Sequence, residues 1–135
     1  MKLSRLAAVA AVGVAALGFA AGPASAASTL SGTWIVSELI VCGGSLYAQL
    51  SGTITFNSDG TGTTSYVYEY GLPPTSVTGT NQSFTYTNTS TSVTITENST
   101  TIDYNAFSVT RGDHTNMTLL GSDANGCIHQ VILNQ

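Results

Sequence analysis

Beyond an apolar first segment, the chain is a succession of short stretches in which β-branched or aromatic residues alternate with polar ones. Successive side chains of a β-strand point to opposite faces, so this period of two is typical of strands with one buried face. Gly52–Asn57 shows the pattern cleanly, with Ile54 and Phe56 on one face and Thr53 and Thr55 on the other. The 3.6-residue period of an amphipathic helix does not occur over a useful length. The sequence therefore predicts an all-β fold.

Turn residues divide this part of the chain into eight predicted strands. In the sixth, Ile102 and Tyr104 share one parity whereas Phe107 and Val109 have the other, so we expect a β-bulge near Asn105. The predicted strands are Gly32–Val41, Gly52–Asn57, Thr63–Tyr70, Ser83–Thr87, Ser92–Glu97, Thr101–Thr110, Asn116–Leu120 and Cys127–Leu133.

Nearly all of these strands are joined by short connections, which make sequence neighbours antiparallel. An antiparallel meander removes its unpaired edges by closing, so we expect an eight-stranded antiparallel up-and-down barrel. The longest predicted loop, Gly71–Thr80, contains Pro73-Pro74 and two glycines. An open sandwich is the alternative, favoured if this loop crosses between two sheets.

The first 26 residues have the pattern of a signal peptide. Lys2 and Arg5 precede the apolar run Leu6–Ala21, and Ala24-Ser25-Ala26 offers a small-x-small cleavage site. The run is short for a membrane span of about 20 residues, so we expect no membrane insertion after cleavage. The predicted organisation is a signal peptide over 1–26 and one secreted domain over 27–135.

The predicted mature domain is acidic. Beyond residue 26 the sequence has one basic residue, Arg111, against seven acidic residues, and no lysine. A basic surface for phosphate groups is therefore missing, and we expect no nucleic-acid partner.

Two cysteines, Cys42 and Cys127, remain in this domain, and in an exported protein they predict a disulfide. Closing so long a loop contributes roughly 4–5 kcal/mol in the chain-entropy model. Two cysteines alone make a poor metal site, and His114 and His129 add no ligand spacing to them. We expect neither a metal nor a cofactor.

Three short stretches resemble lipocalins and related calycins. Gly32-Thr33-Trp34 resembles the Gly-x-Trp that opens the first lipocalin strand, and Gly52–Thr61 resembles the second hairpin of small bacterial lipocalin-like domains. Met117-Thr118-Leu119, followed by Gly126-Cys127-Ile128-His129, is similar to their last two strands. The resemblance implies a small, secreted, bacterial lipocalin-like barrel.

Within this resemblance, Trp34 is expected to plug the closed end of the barrel, and Gly32 to let another segment cross closely. The sequence departs from the lipocalin pattern in two respects. Cys127–Gln135 contains no arginine to pack over the tryptophan, and the chain has no room for a helix after the barrel. We therefore expect a lipocalin-like domain rather than a typical lipocalin.

An eight-stranded barrel is just wide enough to be filled by side chains or to hold one small molecule. Aromatic residues on one predicted face are candidate ligand contacts, because buried tyrosines offer both flat apolar surface and hydroxyl groups. A packed aromatic core is the alternative. The candidates are Phe56, Tyr66, Tyr68, Phe84, Tyr86 and Tyr104.

No constellation of residues predicts catalysis, and we expect a protein that is not an enzyme. Glu38 is the one acid expected to be partly buried, and His129 is expected on the rim or the outer face. The predicted function is binding of a small, partly apolar molecule inside the barrel. The alternative is a protein-binding module, such as a secreted inhibitor of an exoenzyme, that acts through the Gly71–Thr80 loop.

Overall fold

The computed structural model describes residues 30–112 and 114–135, so the predicted signal peptide lies outside the described residues. Eight antiparallel strands follow one another around a closed barrel. The described residues include no helix of the length and apolarity that a membrane span requires. The strands are β1 Gly32–Cys42, β2 Ser45–Phe56, β3 Thr61–Tyr70, β4 Thr75–Asn88, β5 Ser92–Glu97, β6 Thr100–Arg111, β7 His114–Ser122 and β8 Ile128–Asn134.

Pairing of the first strand with the last closes the barrel. β1 pairs with β2 along one edge and with β8 along the other, from Ile35 opposite Asn134 to Val41 opposite Ile128. The predicted eight-stranded antiparallel up-and-down barrel is confirmed. We call the end that carries the start of β1 the base, and the end that carries the β1–β2 and β7–β8 turns the mouth.

Two predicted boundaries near the mouth were wrong. β2 begins at Ser45 rather than Gly52, because Gly43 and Gly44 both take positive φ and form a two-residue turn that continues the pairing with β1. The predicted loop Gly71–Thr80 is a turn over 71–74 only, since Thr75 already pairs with Tyr70. Both hairpins therefore reach further toward the mouth than the sequence suggested.

The predicted bulge near Asn105 was also wrong. β6 keeps one register against β7 from Tyr104 to Arg111, so Phe107 points outward and is 40% exposed. Bulges occur instead in β2, where Tyr47 is the extra residue opposite the step from Ile40 to Val41, and in β4, where Asn81 has a φ of 50°. The parity of Phe107 therefore reflects its place on the outer face and not a shift of register.

The core fills the base. Phe56 is 1% exposed and packs edge-to-face against Phe84 and Tyr86, with ring centroids 5.5 Å and 4.9 Å away. Edge-to-face pairs bring the positive ring edge onto a negative ring face, which adds to the burial free energy. The buried cluster comprises Leu30, Trp34, Val36, Ile54, Phe56, Phe84, Tyr86, Val93, Tyr104, Met117, Leu119, Val131 and Leu133.

The segment before β1 closes the base from below. Leu30 is 2% exposed, and the Tyr86 hydroxyl lies 3.0 Å from its carbonyl oxygen and 2.6 Å from that of Asn57, donating its proton to one of them. Trp34 is also 2% exposed and donates its indole N–H to the Ser31 carbonyl. These contacts satisfy polar groups that burial would otherwise leave unpaired.

Aromatic rings lie over glycines on the neighbouring strand. In the Gly62–Phe84 pair, a Cβ on the glycine would collide with the ring of its partner. In the pair formed by Tyr66 and Gly79, the added Cβ would lie 2.5 Å from the Tyr66 Cζ. The missing side chain thus lets the ring lie flat against the sheet, which shields the glycine backbone.

Candidate ligand pocket at the mouth of the barrel

The interior of the barrel is packed at the base and open at the mouth. A pocket of about 380 Å³ lies there. Its size is within the range of small-molecule sites, roughly 300–1,000 Å³. We call it the mouth pocket, and it is lined by Leu50, Tyr66, Tyr68, Tyr70, Val77 and Glu97.

Strand register places the lining residues next to one another. Tyr68 pairs with Leu50 of β2 on one side and with Val77 of β4 on the other, so these three side chains form one inward row. Tyr66 lies one step closer to the base, against Gly79, and Tyr70 one step closer to the solvent. The Tyr68 and Tyr70 rings lie side by side, with centroids 5.7 Å apart and planes tilted by 40°.

The barrel wall next to this pocket has a gap between β4 and β5. β4 pairs with β5 only through Thr85–Asn88, so the mouth half of β4 has no strand partner on that side among the described residues. β5 is the shortest strand and ends at Glu97. The Glu97 side chain therefore reaches the pocket from the end of a strand, opposite the tyrosines of β3.

The interior near the mouth has an excess of negative charge. Burial, followed by repulsion from Glu38, raises the pKa of Glu97 above its ordinary 4.5. Burial together with the negative charges of Glu38, Glu97 and Asp123 raises the pKa of Tyr104 well above its ordinary value. The Glu97 carboxylate makes no hydrogen bond or ion pair with any other residue that the structure describes.

His129 lies inside the barrel, not on the rim or outer face as predicted. It is 8% exposed, and its Nδ1–H donates to Oε1 of Glu38 over 2.6 Å. Its Nε2 lies 3.5 Å from Oδ2 of Asp123, which is an ion-pair distance without a hydrogen bond. Burial lowers the pKa of His129, but the hydrogen bond to Glu38 and attraction to both carboxylates outweigh burial and raise it above 6.5.

The pairing of His129 predicts how stability depends on pH. Since the folded protein holds the imidazole proton more tightly than the unfolded chain, the stabilisation is complete below pH 6.5 and is lost as pH rises through the folded-state pKa. We expect Tm to fall as pH rises above 6.5, and H129Q to remove the part of the fall that His129 causes.

NMR titration of the imidazole checks the cause directly. We expect a His129 pKa above 6.5 in the wild-type protein and a lower one in E38Q, which loses the negative hydrogen-bond acceptor. The pKa of Glu97 is also raised, so its ionisation lowers stability as pH rises above 4.5. H129Q retains this contribution. A wild-type Tm that rises with pH above 6.5 would contradict this account.

The predicted Cys42–Cys127 disulfide is confirmed and lies at the mouth. Cys42 ends β1 and Cys127 directly precedes β8, so the bond joins the two strands whose pairing closes the barrel. Asp123 shapes the turn before Cys127, because its Oδ1 accepts the backbone N–H groups of Asn125 and Cys127 at 2.9 Å. The bond and this turn hold the His129 side of the mouth in place.

The six predicted ligand contacts divide between the packed core and the mouth pocket. Tyr66 and Tyr68 line the mouth pocket. The other four residues are buried in the core cluster. These four are Phe56, Phe84, Tyr86 and Tyr104. The predicted face was therefore one continuous interior surface, of which one part is packed and the part around Tyr66 and Tyr68 is open.

The predicted plug residues lie at the base. Gly32 has a φ of 81°, and a Cβ there would lie 3.0 Å from the side-chain nitrogen of Gln135, which crosses next to it. Trp34 packs in the core cluster above this crossing. Leu30 was not among the predicted plug residues, although a lone leucine just before the first strand is a usable signal for a plug.

Apolar side chains are also exposed on the outside of the mouth. Leu72 is 98% exposed, Leu46 61% and Tyr47 54%. Together with Tyr70 and Pro74 they line a shallow groove of about 520 Å³, which we call the outer rim. Exposed apolar patches on the surface of a soluble domain often mark contacts with other molecules.

The structure thus belongs to the class of closed, eight-stranded antiparallel barrels with a packed base and an open mouth. Comparisons of the chain with models of protein families, with curated proteins and with solved structures found no match. Within residues 30–112 and 114–135, no group of three or more His, Cys, Asp or Glu side chains is placed to hold a metal ion.

Proposed function

We propose that this chain is a secreted, lipocalin-like protein that binds a small, partly apolar molecule in the mouth pocket. The observation that carries the proposal is the pocket itself, in which three tyrosines, a leucine and a valine surround one carboxylate. Small-molecule sites are typically concave, mostly apolar and lined by a few polar groups that orient the ligand.

The division of the barrel supports the same function. The packed base anchors the strands that carry the pocket, and a site anchored in this way loses less binding free energy in being ordered. The disulfide next to the mouth is compatible with an oxidising, extracellular environment.

A pair of valine variants tests the pocket. Val77 lines it and is 48% exposed, whereas Val67 is 40% exposed and faces outward from the adjacent strand. We expect V77W to fill the pocket and to weaken binding of N-phenyl-1-naphthylamine, an uncharged fluorescent probe, by about tenfold. V67W adds the same side chain outside the barrel and is expected to leave probe affinity unchanged.

Fluorescence titration measures the affinity, and native mass spectrometry of protein purified from its own culture medium looks for a retained small molecule. Equal probe affinity in V77W and V67W would contradict binding in the mouth pocket. Thermal melting of both variants checks that each is folded.

Protein binding through the outer rim is a second candidate function, and the exposure of Leu46, Tyr47 and Leu72 favours it. Tyrosine and large apolar residues that lose water on association are typical of protein interfaces. A partner that acts here should form a 1:1 complex with the wild-type protein in culture fluid. That complex should be lost in L72D and kept in V77W, which changes only the pocket.

A further inference from the structure

We propose that the mouth pocket selects a small organic cation, meaning a protonated amine or a quaternary ammonium group that carries an apolar portion. This inference rests on the proposed function, since it names the ligand class of the same pocket. Three independent features of the lining support it: an uncompensated carboxylate, a wall of tyrosines and a lack of nearby basic side chains.

Glu97 is the uncompensated carboxylate. It lines the pocket and has no ion-pair or hydrogen-bond partner among the residues that the structure describes. A partly buried carboxylate without a partner is costly, and a cation in contact with it recovers part of that cost. A neutral ligand would cover Glu97 without compensating its charge, and an anion would be repelled by it.

The tyrosines provide the second feature. Tyr66, Tyr68 and Tyr70 line the same cavity, and the last two rings lie side by side. The face of an aromatic ring carries partial negative charge, so several rings along one wall of a cavity attract an ammonium group. The apolar side chains of Leu50 and Val77 complete a surface for the uncharged part of such a ligand.

The charge distribution around the pocket points the same way. Glu38 and Asp123 are further acids near the mouth, and the imidazole of His129 between them is already engaged by Glu38. The sequence beyond residue 26 contains Arg111 as its single Lys or Arg, and β6 ends at that residue at the base. A low-dielectric cavity lined by charge of one sign concentrates ligands of the opposite sign.

Two probes of equal shape and different charge test the inference. Benzyltrimethylammonium carries a quaternary nitrogen, and neopentylbenzene has carbon at the same position and no charge. At about pH 7.5 we expect wild-type protein to bind the cation about tenfold more tightly than the neutral isostere, as measured by calorimetry.

Substitution of the carboxylate tests its role. E97Q is expected to weaken binding of the cation about tenfold while leaving affinity for the neutral isostere within about twofold. D103N is the matched control, because Asp103 is an exposed acid on the outer face of β6 that accepts a hydrogen bond from Thr94. It removes the same charge from the protein and should change neither affinity.

Substitution of one ring tests the aromatic contribution. Y68F keeps the ring face and is expected to bind the cation about as tightly as wild-type protein, whereas Y68L keeps apolar volume without a ring and is expected to lose about fivefold. Melting temperatures of E97Q, Y68F and Y68L within a few degrees of wild type would show that affinity changes do not reflect unfolding.

Preference for the neutral isostere, or equal affinity for both probes, would overturn the inference and leave the proposed function standing. Binding of neither isostere, combined with binding of N-phenyl-1-naphthylamine that V77W weakens, would likewise overturn only the selection of a cation. If none of the three probes binds, both the inference and the proposed function fail.

Discussion

Replacing both cysteines, as C42A/C127A, is expected to lower the free energy of unfolding by about 4 kcal/mol. The bond closes a loop with a sequence separation of 85 residues, so it removes many conformations from the unfolded chain. For a domain of this size such a loss corresponds to a fall in Tm of roughly 20 °C. Because β1 and β8 also pair through seven positions, the variant is expected to remain a closed barrel.

Urea denaturation distinguishes this entropic effect from a loss of packing. Without the bond the unfolded chain is more expanded, so the m-value should rise while the free energy of unfolding falls. Reductant should lower the stability of the wild-type protein to that of C42A/C127A and leave the variant unaffected. An unchanged m-value together with a loss below about 1 kcal/mol would contradict the prediction.

Truncation of Phe56 to alanine is expected to lower the free energy of unfolding by about 3–5 kcal/mol. The side chain is 1% exposed and packs against two other rings, so its removal leaves a cavity and breaks two edge-to-face contacts. The rigid base cannot collapse easily around that cavity, because the strands that surround it are paired on both sides.

Phe107 provides the matched control, since it is a phenylalanine that faces outward and is 40% exposed. F107A deletes the same atoms, and its expected cost is below about 1 kcal/mol. Chemical denaturation of both variants, with the probe titration repeated on F56A, measures the difference. Equal losses in F56A and F107A would show that the aromatic cluster is not the main source of stability in the base.

The sequence was sufficient to predict the strand count, the antiparallel order and the closure of the barrel. The alternation around Ile54 and Phe56 gives the strand one apolar face, which must be buried. Short connections then pair each strand with its neighbours in sequence. The cysteine pair was predictable for a similar reason, because closure brings the end of β1 next to the start of β8. Local pattern and chain connectivity therefore carry this level of information.

Strand boundaries near the mouth were less predictable. Thr75–Thr80 is polar, contains a glycine and follows two prolines, so local propensity favoured a loop. In the structure its backbone groups pair with β3, and that pairing overrides the local preference. Phe107 led to the wrong prediction of a bulge, because the sequence does not distinguish an exposed phenylalanine from a buried one.

The candidate site was only partly accessible from the sequence. The residues Tyr66 and Tyr68 could be assigned to the interior from their spacing alone, because alternation places them on one face. Whether an interior ring packs or lines a cavity depends on what lies across the barrel from it. That depends on distances between strands that are remote in sequence, which no local pattern encodes.

The sequence by itself thus determined that Tyr66 and Tyr68 face inward, in what order the strands run and which cysteines meet. Only the tertiary structure decided that the base is filled and the mouth is open, that Glu97 at the end of β5 lines the pocket, and that His129 pairs with Glu38 inside the barrel. The physical reason is that alternation is a property of one strand, whereas cavities and ion pairs arise between side chains from several strands.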